Sequence, residues 1–375
     1  MLGLPTPGLI NMKITGLQTH LVRLPGAPTL ADIPDKADQY TFVTLQLRTD
    51  DGIEGIGVTF FGAALSATLK SAVDQLGALT VGEDPLRPEA VIEKLRGAAK
   101  NAGPGGLFTL ALSAIDIALW DIKGKALGLP VWKLLGGFRD RVPTYASGAM
   151  TRDLTLDEVV AAGPKLVAKG FRQMKTQMAL PGKTSTSKEV ERMRLVRESI
   201  GPDIDLMCDI NQRWNVQQAI SIGRRVEDVG LFWLEDVVAC DDFPGLARVA
   251  DALDTPVAGG EYVYGPVPFR HMVEARSVDI VMVDLMRAGG ITQWMKIAGM
   301  AEAFNLPIVS HLVPEIHVHL VAAVPNGLTV EYMPRALRLY KETPAIEDGQ
   351  LVVPQKPGLG LEFDAAVLKR YGNTG

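Results

Sequence analysis

The sequence predicts an α/β protein in which a parallel β/α barrel follows a smaller α+β unit. Three observations carry this. After residue 140, short apolar runs each end in a polar or charged residue and give way to helical periodicity. The run-terminal residues Lys175, Asp209, Glu235, Glu261, Asp284, His311 and Glu331 are separated by steps of 34, 26, 26, 23, 27 and 20 residues, and each step fits one strand, one helix and two short loops. Before residue 140 the texture is different, with alternating strand-like segments followed by a long helical stretch.

Taken in order, residues 1–11 read as an extension ahead of the folded chain. They lack the basic n-region and sustained apolar core of a signal peptide. Residues 12–138 form the α+β unit. "KITGLQTHLVRL" alternates as a strand does, and "TFVTLQLRTDDGIEGIGVTF" holds two apolar runs around Asp51-Gly52, which predicts a hairpin. Between them "PGAPTLADIPDKADQY" is rich in Pro and Asp and predicts a mobile surface loop. From about 63 to 135 the period is helical. The segment "LFTLALSAIDIALWDIKGKALGLPVWKLLGG" closes this region with a Gly-Leu-Pro break.

Residues 139–335 supply eight barrel strands: "RVPTYAS", "FRQMKTQ", "DIDLMCDIN", "LFWLED", "PVAGGE", "DIVMVDL", "PIVSHL" and "LTVEYM". Thr186 and Glu189 have capping-box spacing ahead of "VERMRLVRESI". Residues 336–375 carry no barrel period and are expected to pack back on the first unit, which becomes a lid over the strands' C-terminal ends.

Composition narrows the function. Charged residues number 38 basic and 43 acidic, giving a net charge of −5 and no basic stripe, which argues against nucleic-acid or anionic-membrane partners. No apolar run approaches the roughly 20 residues of a membrane span. Two cysteines, Cys208 and Cys240, exclude a disulfide framework and suit the cytoplasm.

A parallel barrel points every strand end at one mouth, so residues remote in sequence converge. Asp209, Glu235 and Glu261 end three consecutive strands. Three carboxylates brought together raise one another's pKa unless a cation sits among them, and an all-oxygen set suits Mg²⁺. One acidic strand end could be a solvated edge charge; three in succession outweigh that reading. Asp284 and His311 end adjacent strands, where a carboxylate fixes the imidazole tautomer and makes a competent general base. His317, His319, His20 and His271 lack such a partner and read as structural. Within "FRQMKTQ", strand alternation puts Gln173, Lys175 and Gln177 on one face. Lys175 would polarise a substrate carboxylate, or act as a base if desolvation and the nearby metal lowered its pKa. Glu331 would donate a hydrogen bond to substrate if protonated, or serve as a structural acid. Cys208 points away from the interior and reads as packing.

These residues together resemble the enolase superfamily and, within it, the mandelate racemase-like subgroup. The resemblance covers nearly the whole chain from Met12. "ALSAIDIALWDIKGKALGLPVWKLLGG" is similar to that family's capping-domain signature, and "CDINQ", "WLED" and "GGEY" to its three metal-ligand strand ends. "DLMRAGG" and "SHLVPEIHVHLVAA" are similar to the segments of its His–Asp dyad, and "TVEYM" to its last-strand glutamate. The resemblance implies a capping domain over a modified (β/α)7β barrel and one essential Mg²⁺. It also implies a base that removes the proton α to a carboxylate to give an enediolate, and assembly into homo-oligomers, usually dimers or octamers.

Two positions depart from the family pattern. Where the family commonly has Lys-x-Lys, this chain has Lys175 and Gln177, so a second base opposite His311 is missing. Where Glu-Glu-Pro often follows the ligand strand, Asp236 and Val237 stand here. With one base, the expected reaction is β-elimination of water from an acid sugar, a hydro-lyase reaction giving a 2-keto-3-deoxy acid. His311 would take the α-proton and return it to the departing hydroxyl. Asn211, Gln177 and Gln212 are expected to hydrogen-bond the polyol, and the loop from Asp35 to Tyr40 and the turn Phe60-Phe61-Gly62 to line its far end. The two Phe residues either pack under the lid or favour a less polar substrate. The rivals are a racemase or epimerase using Lys175 with His311, a cycloisomerase, which would be expected to place Lys where Asp284 stands, and a non-catalytic acid-sugar binding protein.

Overall fold

The computed structural model describes residues 12–34, 37–182 and 185–373, so the expected N-terminal extension and the loop residues Asp35 and Lys36 lie outside the described residues. The first sheet is built from β1 (Ile14–Pro25), β2 (Gln39–Thr49) and β3 (Glu54–Thr59), all antiparallel. The hairpin at Asp51-Gly52 forms as expected, with Gly52 in the left-handed region at φ +77°. Gln39 and Tyr40, read as loop, belong to β2 because they pair with Pro25 and Leu24.

Four helices follow: α1 (Ser66–Ala78), α2 (Pro88–Ala98), α3 (Gly106–Leu127) and α4 (Val131–Leu134). Buried residues run almost unbroken from Thr109 to Leu119, which is why α3 shows little amphipathicity: it is covered on several sides. On one side it lies so close to β3 that a Cβ on Gly57 would stand 1.9 Å from the carbonyl oxygen of Ala114.

The barrel strands are β4 (Arg141–Met150), β5 (Gln173–Gln177), β6 (Asp205–Asp209), β7 (Trp233–Glu235), β8 (Val257–Gly259), β9 (Ile280–Asp284), β10 (Ile308–His311) and β11 (Val330–Tyr332). Neighbours pair in parallel from β4 through β10, and β11 closes the ring by pairing with β4. The crossovers carry α5 (Leu156–Ala168), α6 (Thr186–Ile200), α7 (Val216–Gly223), α8 (Phe243–Ala250), α9 (Pro266–Glu274), α10 (Leu285–Ala288) with α11 (Ile291–Ala303), and α12 (Pro314–Ala323). Among the described residues this makes seven β/α crossovers and an eighth strand, a modified TIM-like barrel with an α+β cap.

Side chains of Tyr145, Met207, Trp233, Ala258, Ile280, Met282 and Val309 fill the barrel interior. Cys208, between the inward Met207 and Asp209, joins the outer core instead, as strand alternation requires.

Two expectations change. The cap of α6 is Ser185, whose side chain accepts from Lys188 N, and not Thr186. Glu189 turns away from the helix start, and its carboxylate accepts from Ala179 N at 3.0 Å and Leu180 N at 2.8 Å. The segment after Tyr332 also does more than cover the cap. Its hairpin, β12 (Ile346–Glu347) and β13 (Gln350–Val352), adds antiparallel to β4, while α13 (Ala365–Tyr371) and β14 (Gly372–Asn373) return to β1.

Buried carboxylates on α3 fasten the cap to the barrel and to the C-terminal segment. Asp116 on α3 accepts from Thr292 N at 2.9 Å and Thr292 Oγ1 at 2.5 Å, and Trp120 Nε1 donates to the same hydroxyl. Asp121 accepts from Ile56 N, Leu359 N and Lys125 Nζ. Among the described residues, no helix is long and apolar enough to cross a membrane.

Candidate active site

The strand ends converge at the C-terminal mouth, and the loops leaving them turn sharply. Ala179, Asn211, Gln212, Asp236, Leu312 and Val313 all hold positive φ, between +39° and +63°. Non-glycine residues rarely adopt this conformation, and for the β-branched Val313 it is an outlier. Such strain clusters at functional sites.

Lys175 is buried. Its Nζ lies 2.5 Å from Glu235 Oε1 and 2.9 Å from Glu331 Oε1, and 5.5 Å from the Tyr145 ring centre. Burial opposes its charge, but the two carboxylates outweigh burial and hold its pKa well above the usual lysine value. In the metal-free site Lys175 is therefore held as a cation, in line with polarisation of a substrate carboxylate; a cation bound by Glu235 would weaken that hold, the condition under which Lys175 would serve as a base. Glu331 accepts from Leu312 N at 2.7 Å. Against the upward push of burial, Lys175 and His311 hold it well below the ordinary carboxylate range, which favours the charged form of Glu331 in the metal-free site.

His311 Nδ1 lies 2.8 Å from Asp284 Oδ2, and its Nε2 lies 3.3 Å from Glu261 Oε2. Burial lowers the imidazole pKa, but Glu261 and the Asp284 hydrogen bond raise it more, to about 9. Burial likewise pushes Asp284 up, while the His311 hydrogen bond and the Arg287 charge bring it below the ordinary range. His317 and His319 are buried on α12 and reach backbone oxygens of Leu312 and Leu359; burial depresses both to about 4, as structural histidines. His20, on β1, and His271, on α9, lie away from the mouth.

Oxygen atoms of Glu235, Asp236 and Glu261 all lie within 4.8 Å of one another. Burial first, then repulsion from neighbouring carboxylates, Asp209 in every case, raises Glu235 to about 7 and pushes Asp236 and Glu261 well up, although Lys175 and His311 partly oppose this. Asp236 Oδ2 is buried and has no hydrogen-bond partner among the described residues. A crowded, desolvated, all-oxygen donor set with an orphaned oxygen fits a hard divalent cation. Asp209 stands on the neighbouring strand, its two oxygens accepting from Asn211 N at 2.7 Å and Asn211 Nδ2 at 2.6 Å.

The amides expected to meet substrate are half-buried and carry hydrogen bonds within the site. Asn211 Oδ1 accepts from Arg152 Nη2 at 2.7 Å and Gln177 Nε2 at 3.2 Å, and Gln177 Oε1 accepts from Arg152 N. Gln212 Oε1 accepts from Cys240 N, tying one loop to the next. Arg152 also donates to the carbonyls of Met178 and Asp209.

Sequence reading missed several members of the site. Trp233 Nε1 donates to Glu235 Oε2 at 2.9 Å, and its place two residues before Glu235 was the available signal. Arg287 donates to the Glu261 carbonyl and, through its backbone N, to Asp284 Oδ1. Its guanidinium lies 3.8 Å from the Phe61 ring centre, and Phe61 stands nearly parallel to the His311 imidazole, with centroids 6.2 Å apart. Phe61 therefore covers the dyad as well as packing under the cap.

Comparison with known proteins agrees with this architecture. Residues 29–136 match the mandelate racemase / muconate lactonizing enzyme N-terminal domain, and residues 158–367 the enolase C-terminal domain-like family. The chain is 32% identical over 360 residues to a 3,6-anhydro-alpha-L-galactonate cycloisomerase of Streptomyces coelicolor, covering 95% of this chain and 99% of that one. It is also 32% identical to the L-talarate/galactarate dehydratase of Salmonella typhimurium, covering 86% and 80%. The crystal structure of L-talarate dehydratase from Polaromonas sp. JS666, complexed with Mg and L-glucarate, superposes with a TM-score of 0.89 at 30% identity, covering 97% of this chain and 98% of that one. With both domain models matched in order and the dyad and carboxylates gathered at one barrel mouth, the chain belongs to the mandelate racemase / muconate lactonizing enzyme family of the enolase superfamily.

Proposed function

We propose that this protein is a Mg²⁺-dependent hydro-lyase that converts an acid sugar to a 2-keto-3-deoxy acid. The carrying observation is the asymmetry of the mouth: a dyad-backed imidazole at His311, and on strand β5 a neutral amide at Gln177 beside a pinned Lys175. Glu235, Glu261 and Asp209, with Asp236, would hold Mg²⁺, which supplies positive charge to offset the charge developing on the substrate carboxylate. Lys175 adds a second cation at that end.

In its neutral form His311 Nε2 takes the α-proton, and Asp284 stabilises the imidazolium; in the metal-free site Glu261 holds the imidazole charged, and a cation bound by that carboxylate would free the base. The bond from the β-carbon to its hydroxyl then breaks, the imidazolium proton joins the leaving oxygen as water, and the resulting enol tautomerises to the 2-keto acid. Both proton steps use one group on one face, which suits a site with a single free base. Arg152 fixes Asn211 and Gln177, and Arg287 and Phe61 keep water from the dyad.

Relatives support the acid-sugar class, since they include dehydratases of talarate, galactarate and arabinonate. Two free cysteines, one buried and one partly exposed, suit a cytoplasmic enzyme. We take the assembly to be a homo-oligomer, which sedimentation would check. The deciding experiment incubates the protein with Mg²⁺ and a library of mono- and di-acid sugars in D₂O. Formation of 2-keto acid is expected. Recovery of the intact carbon skeleton with deuterium at the α-carbon would favour the racemase or epimerase reading, and calorimetric binding without turnover or exchange would favour the binding protein.

A further inference from the structure

A cavity of about 280 Å³ lies between cap and barrel, many times the ~10–15 Å³ that admits a single water. One side of it is formed by Phe42, Phe60, Phe61, Leu312, Val313 and Met333, and Gln39, Tyr40 and Thr41 of β2 also line it. The aromatic wall is continuous with the reacting group. Phe42 meets Phe60 edge-on at 5.6 Å, Phe60 meets Phe61 at 4.3 Å, and Phe61 stacks over His311. Leu312 and Val313 directly follow His311, and their strained backbone presents them to the same space. Ser66 also lines the cavity, but its hydroxyl already donates to the Ala63 carbonyl at 2.7 Å. The charged lining residue, Arg335, is exposed and lies 4.8 Å from the ring centre of Tyr40.

A polyol chain laid along the aromatic and aliphatic side of this space, the side continuous with His311, would bury hydroxyls against hydrocarbon, and each hydroxyl left without a partner weakens binding. We infer that the substrate's end remote from its reacting carboxylate is apolar: the acid is a 2,3-dihydroxy acid ending in a methyl or larger hydrocarbon group instead of a hydroxymethyl. This rests on the proposed reaction only for which end of the substrate faces His311. The hydroxyls needed for elimination stay beside the carboxylates, and the hydrocarbon end fills the aromatic cavity.

The test uses the whole protein with Mg²⁺ and matched pairs of acids of the same stereochemistry, one ending in CH₃ and its partner in CH₂OH. Calorimetric affinity and kcat/KM are measured for each pair. The methyl-ended acid of the preferred stereochemistry is expected to win by about 10- to 100-fold, the range one such group commands in a hydrophobic pocket. Val313→Thr, which places a hydroxyl on this wall at nearly unchanged volume, is expected to shrink that ratio. Phe60→Tyr is expected to do the same and guards against a folding defect in the first variant. Equal affinity within every pair, or no binding of any methyl-ended acid, would overturn the inference. So would preference for the hydroxymethyl partners, which would assign the distal end to a smaller cavity of about 120 Å³ lined by Ser147, Thr151 and Asp153. Because affinity is read separately from turnover, a bound methyl-ended acid that shows neither exchange nor 2-keto acid would sink the proposed reaction and leave this inference standing.

Discussion

Asp284 Oδ2 lies 2.8 Å behind His311 Nδ1, on the strand next to it, so the imidazole is oriented by a carboxylate that two backbone elements hold in register. His311→Asn is expected to abolish α-proton exchange and to cut turnover by about 10²- to 10⁴-fold. Retained exchange would move the base to Lys175.

The same pair sets a pH signature in the metal-free protein. Its imidazole pKa is raised from 6.5 to about 9, so the native state binds this proton more tightly than the unfolded chain does. The stabilisation is fully present below pH 6.5 and is lost as pH rises through about 9. Thermal midpoints of the wild type and His311→Asn without metal are expected to converge over that window. A constant gap would show that the imidazole proton contributes nothing.

Gln177→Lys is expected to leave Mg²⁺ affinity within a few-fold and to introduce exchange from the face opposite His311. NMR of the recovered acid in D₂O reads this directly. Exchange confined to the original face would mean that position 177 does not look onto the substrate.

Asp236→Asn removes one charge from the carboxylate cluster at nearly constant volume. If Asp236 Oδ2 faces the cation, Mg²⁺ affinity measured by calorimetry should fall by about 10-fold or more, the effect typical of groups that support a metal site. Unchanged affinity would return the whole task to Asp209, Glu235 and Glu261.

Glu315, at the start of α12, is fully buried and neither side-chain oxygen has a hydrogen-bond partner among the described residues. Burial raises its pKa to about 7. The native state then keeps a proton that the unfolded chain gives up above pH 4.5, so this group costs stability as pH rises from 4.5 to 7. Glu315→Gln should stabilise the protein by up to about 3 kcal/mol at pH 8, from 1.36 kcal/mol per pKa unit, and by little at pH 4.5. Equal shifts at both pH values would show that the carboxyl is not the titrating group.

The barrel was legible because its strands are short and buried, and each ends in a residue whose charge contrasts with the apolar run before it. Alternation along β5 also placed Lys175 and Gln177 on one face. Asp236 was not legible for a local reason. A residue following Glu235 should point to the other face, but φ +45° turns the chain and brings its carboxylate back to the cluster. No spacing reveals that Arg152, about sixty positions earlier, reaches the amide oxygen of Asn211. Thr186 and Ser185 both satisfy cap chemistry, and the choice fell to where Glu189 was needed. Phe61 over His311 depends on how two domains dock, which a one-dimensional pattern does not encode.

The buried anchors Asp116 and Asp121 carry a consequence for how molecules come and go. With α3 bonded to Thr292 and Leu359, the cap cannot swing away as a unit without leaving desolvated carboxylates unpaired. The Phe60–Ala63 turn, by contrast, carries no such anchor to the barrel frame among the described residues and holds Phe61 and Ala63 at positive φ. The parts that select a guest can thus be rebuilt while the frame aligning base and carboxylates stays as it is.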